Sequence, residues 1–156
     1  KGQKFQIFVN GEDYSEKIRT EQVAILASKI AKDKRARDML EVYQRNYLDG
    51  SGLVADGRDM GTKVFREANI KFYLTASVEK RAERRLNQLK DQGISANLPN
   101  LIHKLMLRDK VDIERINSPL MPAKDAVIID TSDISVSEVF DKTINIINKR
   151  KRKIYE

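Results

Sequence analysis

The feature that most constrains the fold of this sequence is a short apolar run that stops abruptly at charged residues and glycines. Residues 52–61 read G-L-V-A-D-G-R-D-M-G, so the apolar run Leu53–Ala55 leads directly into Asp56–Asp59. This pattern predicts a strand buried on both faces of a parallel sheet. Ligands of such sheets bind just beyond the carboxyl ends of the strands, where glycines allow a close approach to the backbone. The spacing alone fits a ligand site and a plain polar turn about equally well.

Further apolar runs, with helical patterns between them, predict an α/β fold with a largely parallel sheet. The second and third buried strands are predicted at Ile70–Leu74 and Ala126–Asp130. Asn10-Gly11 predicts a small hairpin near the start of the sequence. Capping residues and apolar spacing predict the helices, which cover residues 20–31, a segment ending near 49–50, residues 78–92, residues 99–117 and a last segment after Asp133.

The same periodicity predicts which helix residues are buried. The inward-facing residues of the second and last helices are Met39, Leu40, Tyr43 and Tyr47, then Val136, Val139, Phe140, Ile144 and Ile147. The basic run Lys149–Lys153 at the end of the last helix predicts a frayed, solvated helix end, with a nucleic-acid contact as the alternative.

Composition narrows the class of protein. The sequence has 156 residues, of which 40% are hydrophobic and 34% charged, as in one soluble globular domain. The net charge of +7 predicts an anionic partner, and the lack of cysteine excludes disulfides and thiolate metal sites. No run approaches the ~18 apolar residues of a membrane span, so we expect a cytoplasmic protein without membrane contact. The phosphate-binding pattern G-x-x-x-x-G-K-[ST] is absent from the sequence.

A second group of charged residues has helical spacing. Arg108, Asp112 and Arg115 lie at positions i, i+4 and i+7 and therefore share one helix face. Two guanidiniums beside a carboxylate can grip a phosphate while the carboxylate accepts hydrogen bonds from hydroxyls. The alternative is an exposed ladder of ion pairs, which contributes little to stability.

A third group lies on the helix after the second predicted strand. Arg81, Arg84 and Arg85 could close over transferring phosphates, or they could be ordinary solvated helix charges. His103 is the only histidine, and neither a metal site nor a catalytic triad can be built around it.

Several of these motifs together resemble the signature of bacterial cytidylate (CMP) kinases, a family of P-loop nucleoside monophosphate kinases. The similar segments cover nearly the whole sequence and comprise residues 16–24 (E-K-I-R-T-E-Q-V-A), 52–65 (G-L-V-A-D-G-R-D-M-G-T-K-V-F), 81–89 (R-A-E-R-R-L-N-Q-L), 108–115 (R-D-K-V-D-I-E-R) and 118–126 (S-P-L-M-P-A-K-D-A).

The resemblance implies a fold and also a departure from it. Residues 1–49 would form the insert that binds the nucleoside monophosphate, and residues 50–156 the kinase core, with lid helices at about 78–117. The family's first strand, its phosphate loop and the following helix have no counterpart in the sequence. Strands Leu53–Asp56 and Ile70–Leu74 would then flank an empty central position. We expect either a fragment or a protein completed by another polypeptide, inactive alone and a monomer when complete.

The resemblance also implies substrates and residue roles. The substrates would be ATP and CMP or dCMP, with cytosine read by Ser28, Arg37 and Asp59. Arg58, Arg108 and Arg115 would hold phosphates, Asp112 the ribose hydroxyls, and Asp56 a Mg²⁺ ion through water. Arg81, Arg84 and Arg85 would belong to the lid that closes over the triphosphate. No residue is assigned to the phosphate loop.

The chemistry of cytosine agrees with the implied role of Asp59. A carboxylate can accept a hydrogen bond from the exocyclic amine of cytosine. Uracil would place a carbonyl there and leave the carboxylate unpaired, at a cost of ~1–3 kcal/mol in binding free energy. The rival hypothesis from another class is a basic nucleic-acid-binding module, supported by the charge of +7 and the basic run. Duplex binding would weaken steeply with salt, whereas nucleotide binding in a shaped pocket would weaken less.

Overall fold

A computed structural model describes residues 6–50, 52–114, 116 and 119–155; the side chains of residues 19, 21, 24, 28 and 151–155 are outside this description. The chain divides into two compact units, Lys1–Gly52 and Leu53–Glu156, which are described separately. No helix among the described residues is both long and apolar enough to cross a membrane.

The first unit begins with a short antiparallel hairpin. Strands β1 (Phe8–Val9) and β2 (Glu12–Asp13) pair around Asn10 and Gly11, whose φ angles of 51° and 85° are those of the turn that the Asn-Gly pair predicts. This pairing confirms the predicted hairpin. A 3₁₀ turn at Lys17–Arg19 follows.

Two helices complete the first unit. Helix α1 (Glu21–Ile30) begins after Thr20, whose side chain accepts a hydrogen bond from the Val23 amide at 3.4 Å. Helix α2 (Lys34–Arg45) begins after Asp33, whose side chain accepts from the Ala36 amide at 3.0 Å. Such side-chain caps satisfy amides that have no partner within the helix.

The prediction for the buried face of α2 is wrong. The helix ends at Arg45 rather than near residue 49, and its four predicted inward residues are all exposed, Met39 by 75%. The others are Leu40, Tyr43 and Tyr47. Apolar spacing shows that a helix face is suited to burial but not which element covers it, and a unit of this size can bury little surface alone.

The second unit contains a parallel pair of strands with helices. Strand β3 (Phe72–Thr75) pairs with β4 (Val127–Asp130), and Tyr73 lies opposite Ile128. Helices α3 (Val78–Asp91) and α4 (Leu98–Glu114) lie between the strands in sequence and pack against each other. A mixed α/β architecture with a small parallel sheet is therefore confirmed.

The core of the second unit is small. Among the described residues, four apolar side chains are buried, contributed by the segment before β3, by α3 and by β4. They are Val64, Phe65, Ala82 and Ile129. Val64 belongs to a π-helical turn, Met60–Val64, that the sequence did not predict. Predicted helix 78–92 is confirmed, since Ser77 caps α3 and Gly93, with φ 72°, follows its end.

The predicted strand at Leu53–Asp56 does not form. These residues lie outside both sheets of the described chain, and Val54 is 100% exposed instead of buried on two faces. A strand needs a hydrogen-bonded neighbour, and no described strand pairs with this segment. An empty position between two strands is likewise not seen among the described residues.

Helix α5 (Val136–Tyr155) continues through the basic run Lys149–Lys153, so the backbone there is helical rather than frayed. The prediction for its apolar face is largely wrong, because Val136, Phe140 and Ile144 are exposed and Val139 and Ile147 are only half-buried. The predicted end of α4 at residue 117 lies outside the described residues.

Candidate functional site

The charged group with the most buried member is centred on Asp112, in the last turn of α4. Asp112 is only 7% exposed, and its carboxylate contacts the Arg58 guanidinium. Nε of Arg108, one turn earlier on the helix, lies 3.9 Å from the same carboxylate oxygen. We call Asp112, Arg58 and Arg108 the Asp112 cluster. The exposed-ladder alternative does not describe Asp112, because a ladder carboxylate would be solvated.

The backbone of Asp112 is also engaged. Its carbonyl accepts a hydrogen bond at 2.8 Å from the amide of Leu120, which lies in the segment leading to β4. The carboxylate and the peptide group of this residue therefore both contact other parts of the second unit. This double attachment restricts the position of the last turn of α4.

Arg58 contacts Asp112 from the loop of residues 57–61, which follows the apolar run Leu53–Ala55. The carbonyl of Asp59 accepts from the amides of Lys63, at 2.8 Å, and Val64, at 3.2 Å, where the π-helical turn begins. Gly61 lies so close to Lys71 that a Cβ atom at position 61 would be 3.3 Å from Cδ of that lysine. A side chain there would require the lysine to shift by a few tenths of an ångström, which favours a glycine at this position.

Arg81 lies at the interface of two helices and a strand end. Its Nη atoms donate to both carboxylate oxygens of Asp109 on α4, at 3.0 and 2.5 Å. Its Nε donates to the carbonyl of Ala76, just after β3, at 3.1 Å. The hydrogen bond with Asp109 raises the pKa of Arg81, which is charged at neutral pH in any case.

Arg84 is bound to the end of β4. One Nη atom donates to the Thr131 hydroxyl at 3.1 Å, and the other contacts the Thr131 carbonyl. The Thr131 hydroxyl in turn donates to the carbonyl of Thr75 at 2.9 Å, which joins the ends of the two parallel strands. Arg85 is exposed and donates to Gln88 at 2.7 Å. The three arginines predicted to belong to a lid therefore have different environments.

The residues predicted to read the base lie in different units. Ser28 belongs to α1, and its side chain is outside the described part of the structure. Arg37, on α2, is half-buried, and one Nη atom lies 3.4 Å from the Ala31 carbonyl. Asp59 belongs to the second unit. Arg115 lies outside the described residues, so the predicted trio on α4 is described only for Arg108 and Asp112.

Comparison with known proteins decides the family. The family model described as cytidylate kinase matches residues 1–149. The chain belongs to the cytidylate kinase family. Membership implies the P-loop nucleoside monophosphate kinase fold, and the two parallel strands with their helices are compatible with it.

Individual relatives carry the same name. A cytidylate kinase of Shewanella sp. (strain MR-4) is 46% identical over 145 residues, which are 93% of this chain and 63% of that protein. One of Acinetobacter baumannii (strain AYE) is 46% identical over 144 residues, 92% of this chain and 63% of the relative. The chain therefore spans about 63% of the length of the curated cytidylate kinases that it matches.

The described side chains of this cytidylate kinase family member offer limited possibilities for holding a metal ion. No group of three metal-binding side chains occurs in the described part of the chain. Asp56 is an exposed single carboxylate at the end of the glycine-bounded apolar run. Mg²⁺ in nucleotide sites keeps several waters and uses one or two carboxylates together with phosphates. A lone exposed aspartate fits that donor set, although not a closed protein cage.

Two interaction partners in this chain were not predicted from the sequence. Asp109 pairs with Arg81 across 28 positions, and Thr131 pairs with Arg84 across 47. The signal available for Asp109 was its place between Arg108 and Asp112. Thr131 gave only the weak signal of a hydroxyl directly after a predicted buried strand.

Proposed function

We propose that the protein containing this chain transfers the γ-phosphoryl group of ATP to CMP or dCMP. The observation that carries the proposal is the Asp112 cluster: a nearly buried carboxylate with guanidiniums from two segments, in a chain of the cytidylate kinase family. Phosphoryl transfer depends on positioning and charge neutralisation more than on covalent chemistry of the protein. A site rich in arginine and poor in general bases suits that reaction.

In this proposal, the residues of the cluster divide the substrate between them. Asp112 accepts hydrogen bonds from the ribose hydroxyls of CMP, while Arg58 and Arg108 hold phosphate oxygens. Guanidiniums suit this role because they donate two parallel hydrogen bonds to a phosphate and remain charged. Arg115 is proposed as a further phosphate ligand on the strength of its spacing alone.

Base recognition is proposed for Ser28, Arg37 and Asp59. Cytosine carries an amine donor beside two acceptors, so a carboxylate, a guanidinium and a hydroxyl satisfy its edge. The insert that binds the monophosphate would be residues 1–49, and residues 50–156 would belong to the kinase core.

The lid would be formed by the helices at about 78–117. Arg81, Arg84 and Arg85 would all belong to this lid. Arg84 and Arg85 are proposed to face the triphosphate when the lid closes, whereas the guanidinium of Arg81 is held by Asp109 and Ala76. ATP would be bound with Mg²⁺, which bridges the phosphates and offsets their charge, and Asp56 would hold that ion through water.

The proposal also includes a part of the fold beyond these residues. The exposed segment Leu53–Asp56 is suited to a strand but has no ladder partner among the described residues. We infer that further polypeptide, whether of the same chain or another, supplies a neighbouring strand and a phosphate loop. The complete protein would be a cytoplasmic monomer, and the 156 residues alone would transfer no phosphate. The nucleic-acid-binding alternative gains nothing from the family assignment.

A coupled ADP-release assay tests the proposed function. The polypeptide as encoded, with any residues beyond these 156, is given ATP, Mg²⁺ and either CMP, dCMP, UMP or AMP. Rapid ADP release with CMP and dCMP, and much slower release with UMP and AMP, is the expected result. No CMP-dependent release from a folded encoded polypeptide would contradict the proposal. The 156-residue chain tested in parallel should be inactive.

A further inference from the structure

The ion pair between Arg81 and Asp109 joins three elements of the second unit at one point. Asp109 belongs to α4 and Arg81 to the first turn of α3. The carbonyl that accepts from Nε of Arg81 belongs to Ala76, just after the end of β3. Both side chains of the pair are about one-third exposed, at 34% and 27%. The contact is therefore partly shielded, unlike the open pairs elsewhere on these helices.

The position of Asp109 on α4 gives this contact its importance. Asp109 precedes Asp112 by three residues, which is less than one helical turn and a rise of about 4.5 Å. It is also the immediate neighbour of Arg108 in the sequence. Two parallel hydrogen bonds to a planar guanidinium restrict both the rotation and the translation of the helix turn that carries the carboxylate. That turn also carries two members of the Asp112 cluster.

We propose that Asp109, acting through Arg81, is a positioning residue for the CMP-binding face of α4. This inference rests on the proposed function, because it assumes that Asp112 and Arg108 contact CMP. Arg81 fastens α4 to the carboxyl end of β3, so the pair sets where Asp112 lies relative to the sheet. Three of the five N–H groups of Arg81 are used in this way.

The competing role for Arg81 is direct binding of the ATP triphosphate, and the two roles predict opposite results. A positioning pair acts on the CMP side of the reaction, and both of its members matter equally. A phosphate ligand acts on the ATP side, and the loss of Asp109 would then release Arg81 rather than impair it. Steady-state kinetics with each substrate varied in turn separate these cases.

The test compares Asp109→Asn, Arg81→Lys and the double variant in the polypeptide as encoded. Asp109→Asn preserves shape but loses the charged acceptor, and Arg81→Lys preserves charge but loses the planar fork. We expect each single variant to raise KM for CMP about tenfold, with KM for ATP changed less than twofold, because small misplacements of binding groups are costly. The double variant should be no worse than either single variant, since both remove one interaction.

Two further variants guard the test against a purely structural effect. Glu83→Gln removes an exposed partner of Lys80 on α3, a pair 3.4 Å apart, and should leave both KM values unchanged. Asp109→Glu retains the charge and should recover part of the CMP affinity, and it also serves if Asp109→Asn does not fold. Melting temperatures measured on all variants show whether the KM changes follow stability.

The outcomes separate this inference from the proposed function. A parent protein that does not phosphorylate CMP overturns both. An active parent whose Asp109→Asn variant binds CMP normally overturns only the positioning role. An Arg81→Lys variant that raises KM for ATP alone also overturns it and assigns Arg81 to the triphosphate.

Discussion

Asp112→Asn is the substitution that most directly tests the burial of the Asp112 cluster. The asparagine keeps the shape of the side chain but removes the negative charge that faces Arg58 and, at 3.9 Å, Arg108. Breaking one side of a fully buried ion pair costs about 3–5 kcal/mol. Here the Arg58 and Arg108 side chains are 38% and 64% exposed, so water can solvate them after the loss. We therefore expect a decrease of about 1–2 kcal/mol in the free energy of unfolding.

The matched control is Glu114→Gln, two residues further along the same helix. The Glu114 side chain is 62% exposed and its carboxylate lies 4.0 Å from Lys110. An exposed pair of this kind contributes about 0–1 kcal/mol and is screened by salt. Both substitutions change a carboxylate to an amide on α4, so the comparison isolates burial and contact with Arg58.

Urea unfolding followed by circular dichroism at pH 7 measures the free energy of unfolding of the parent and of both variants, at low salt and again at 0.5 M NaCl. The Asp112→Asn deficit should persist at high salt, whereas any effect of Glu114→Gln should disappear. The expected loss corresponds to a fall in melting temperature of about 2–8 °C for a protein of this size. Equal effects of the two substitutions, or an Asp112 effect abolished by salt, would refute the argument from burial.

Three other substitutions give sharp expectations. Asp59→Asn should narrow the preference for CMP over UMP in kcat/KM, mainly by weakening CMP use, because an amide can also donate to a uracil carbonyl; unchanged discrimination would exclude Asp59 from base reading. Thr131→Val should lower the free energy of unfolding by about 1–3 kcal/mol, since it removes the hydroxyl that bonds Arg84 and β3, while Thr131→Ser should keep most of that stability in the same melt. The hydrogen bond from Lys71 holds the pKa of Asp125 below its ordinary value. The contribution of ionised Asp125 to the free energy of unfolding is therefore complete above an ordinary aspartate pKa of about 3.9 and is lost as the pH falls through the lowered native pKa. The melting temperatures of the parent and Asp125→Asn should differ at pH 7 and converge at a pH below the lowered pKa.

Local features of the fold could be predicted because their causes are local. Thr20 and Ser77 cap helices by bonds that span three residues, and Asn10-Gly11 forms its turn through the φ angles that these residues tolerate. The strands β3 and β4 were also predicted, since compact apolar runs between helical patterns indicate parallel strands.

The errors concern features that depend on a distant partner. Leu53–Asp56 has the composition of a strand, but a strand forms only beside a neighbour, and periodicity does not reveal whether one is present. The apolar face of α2, which includes Met39, was misassigned for the same reason. Apolar spacing describes what a segment can bury, whereas actual burial requires a surface in the right place.

In the candidate site, too, the features set by local spacing could be predicted, whereas the contacts between distant residues could not. Helical spacing alone placed Arg108 and Asp112 on one face, and their separation of four residues made that prediction safe. The pairing of Arg81 with Asp109 joins residues 28 apart, and no local rule selects one carboxylate among several. The contact of Arg58 with Asp112 crosses a longer interval still and became visible only in the structure.

The segment Leu53–Asp56 ends two residues before Arg58, so the two are mechanically linked. A neighbouring strand that orders this segment would also restrict the loop that brings Arg58 to Asp112. Strand docking and anion binding at the Asp112 cluster would then be cooperative, and thermodynamic linkage requires each to strengthen the other by the same factor. A bound nucleotide would then stabilise the docked strand, and docking of that strand would in turn raise the affinity for the nucleotide.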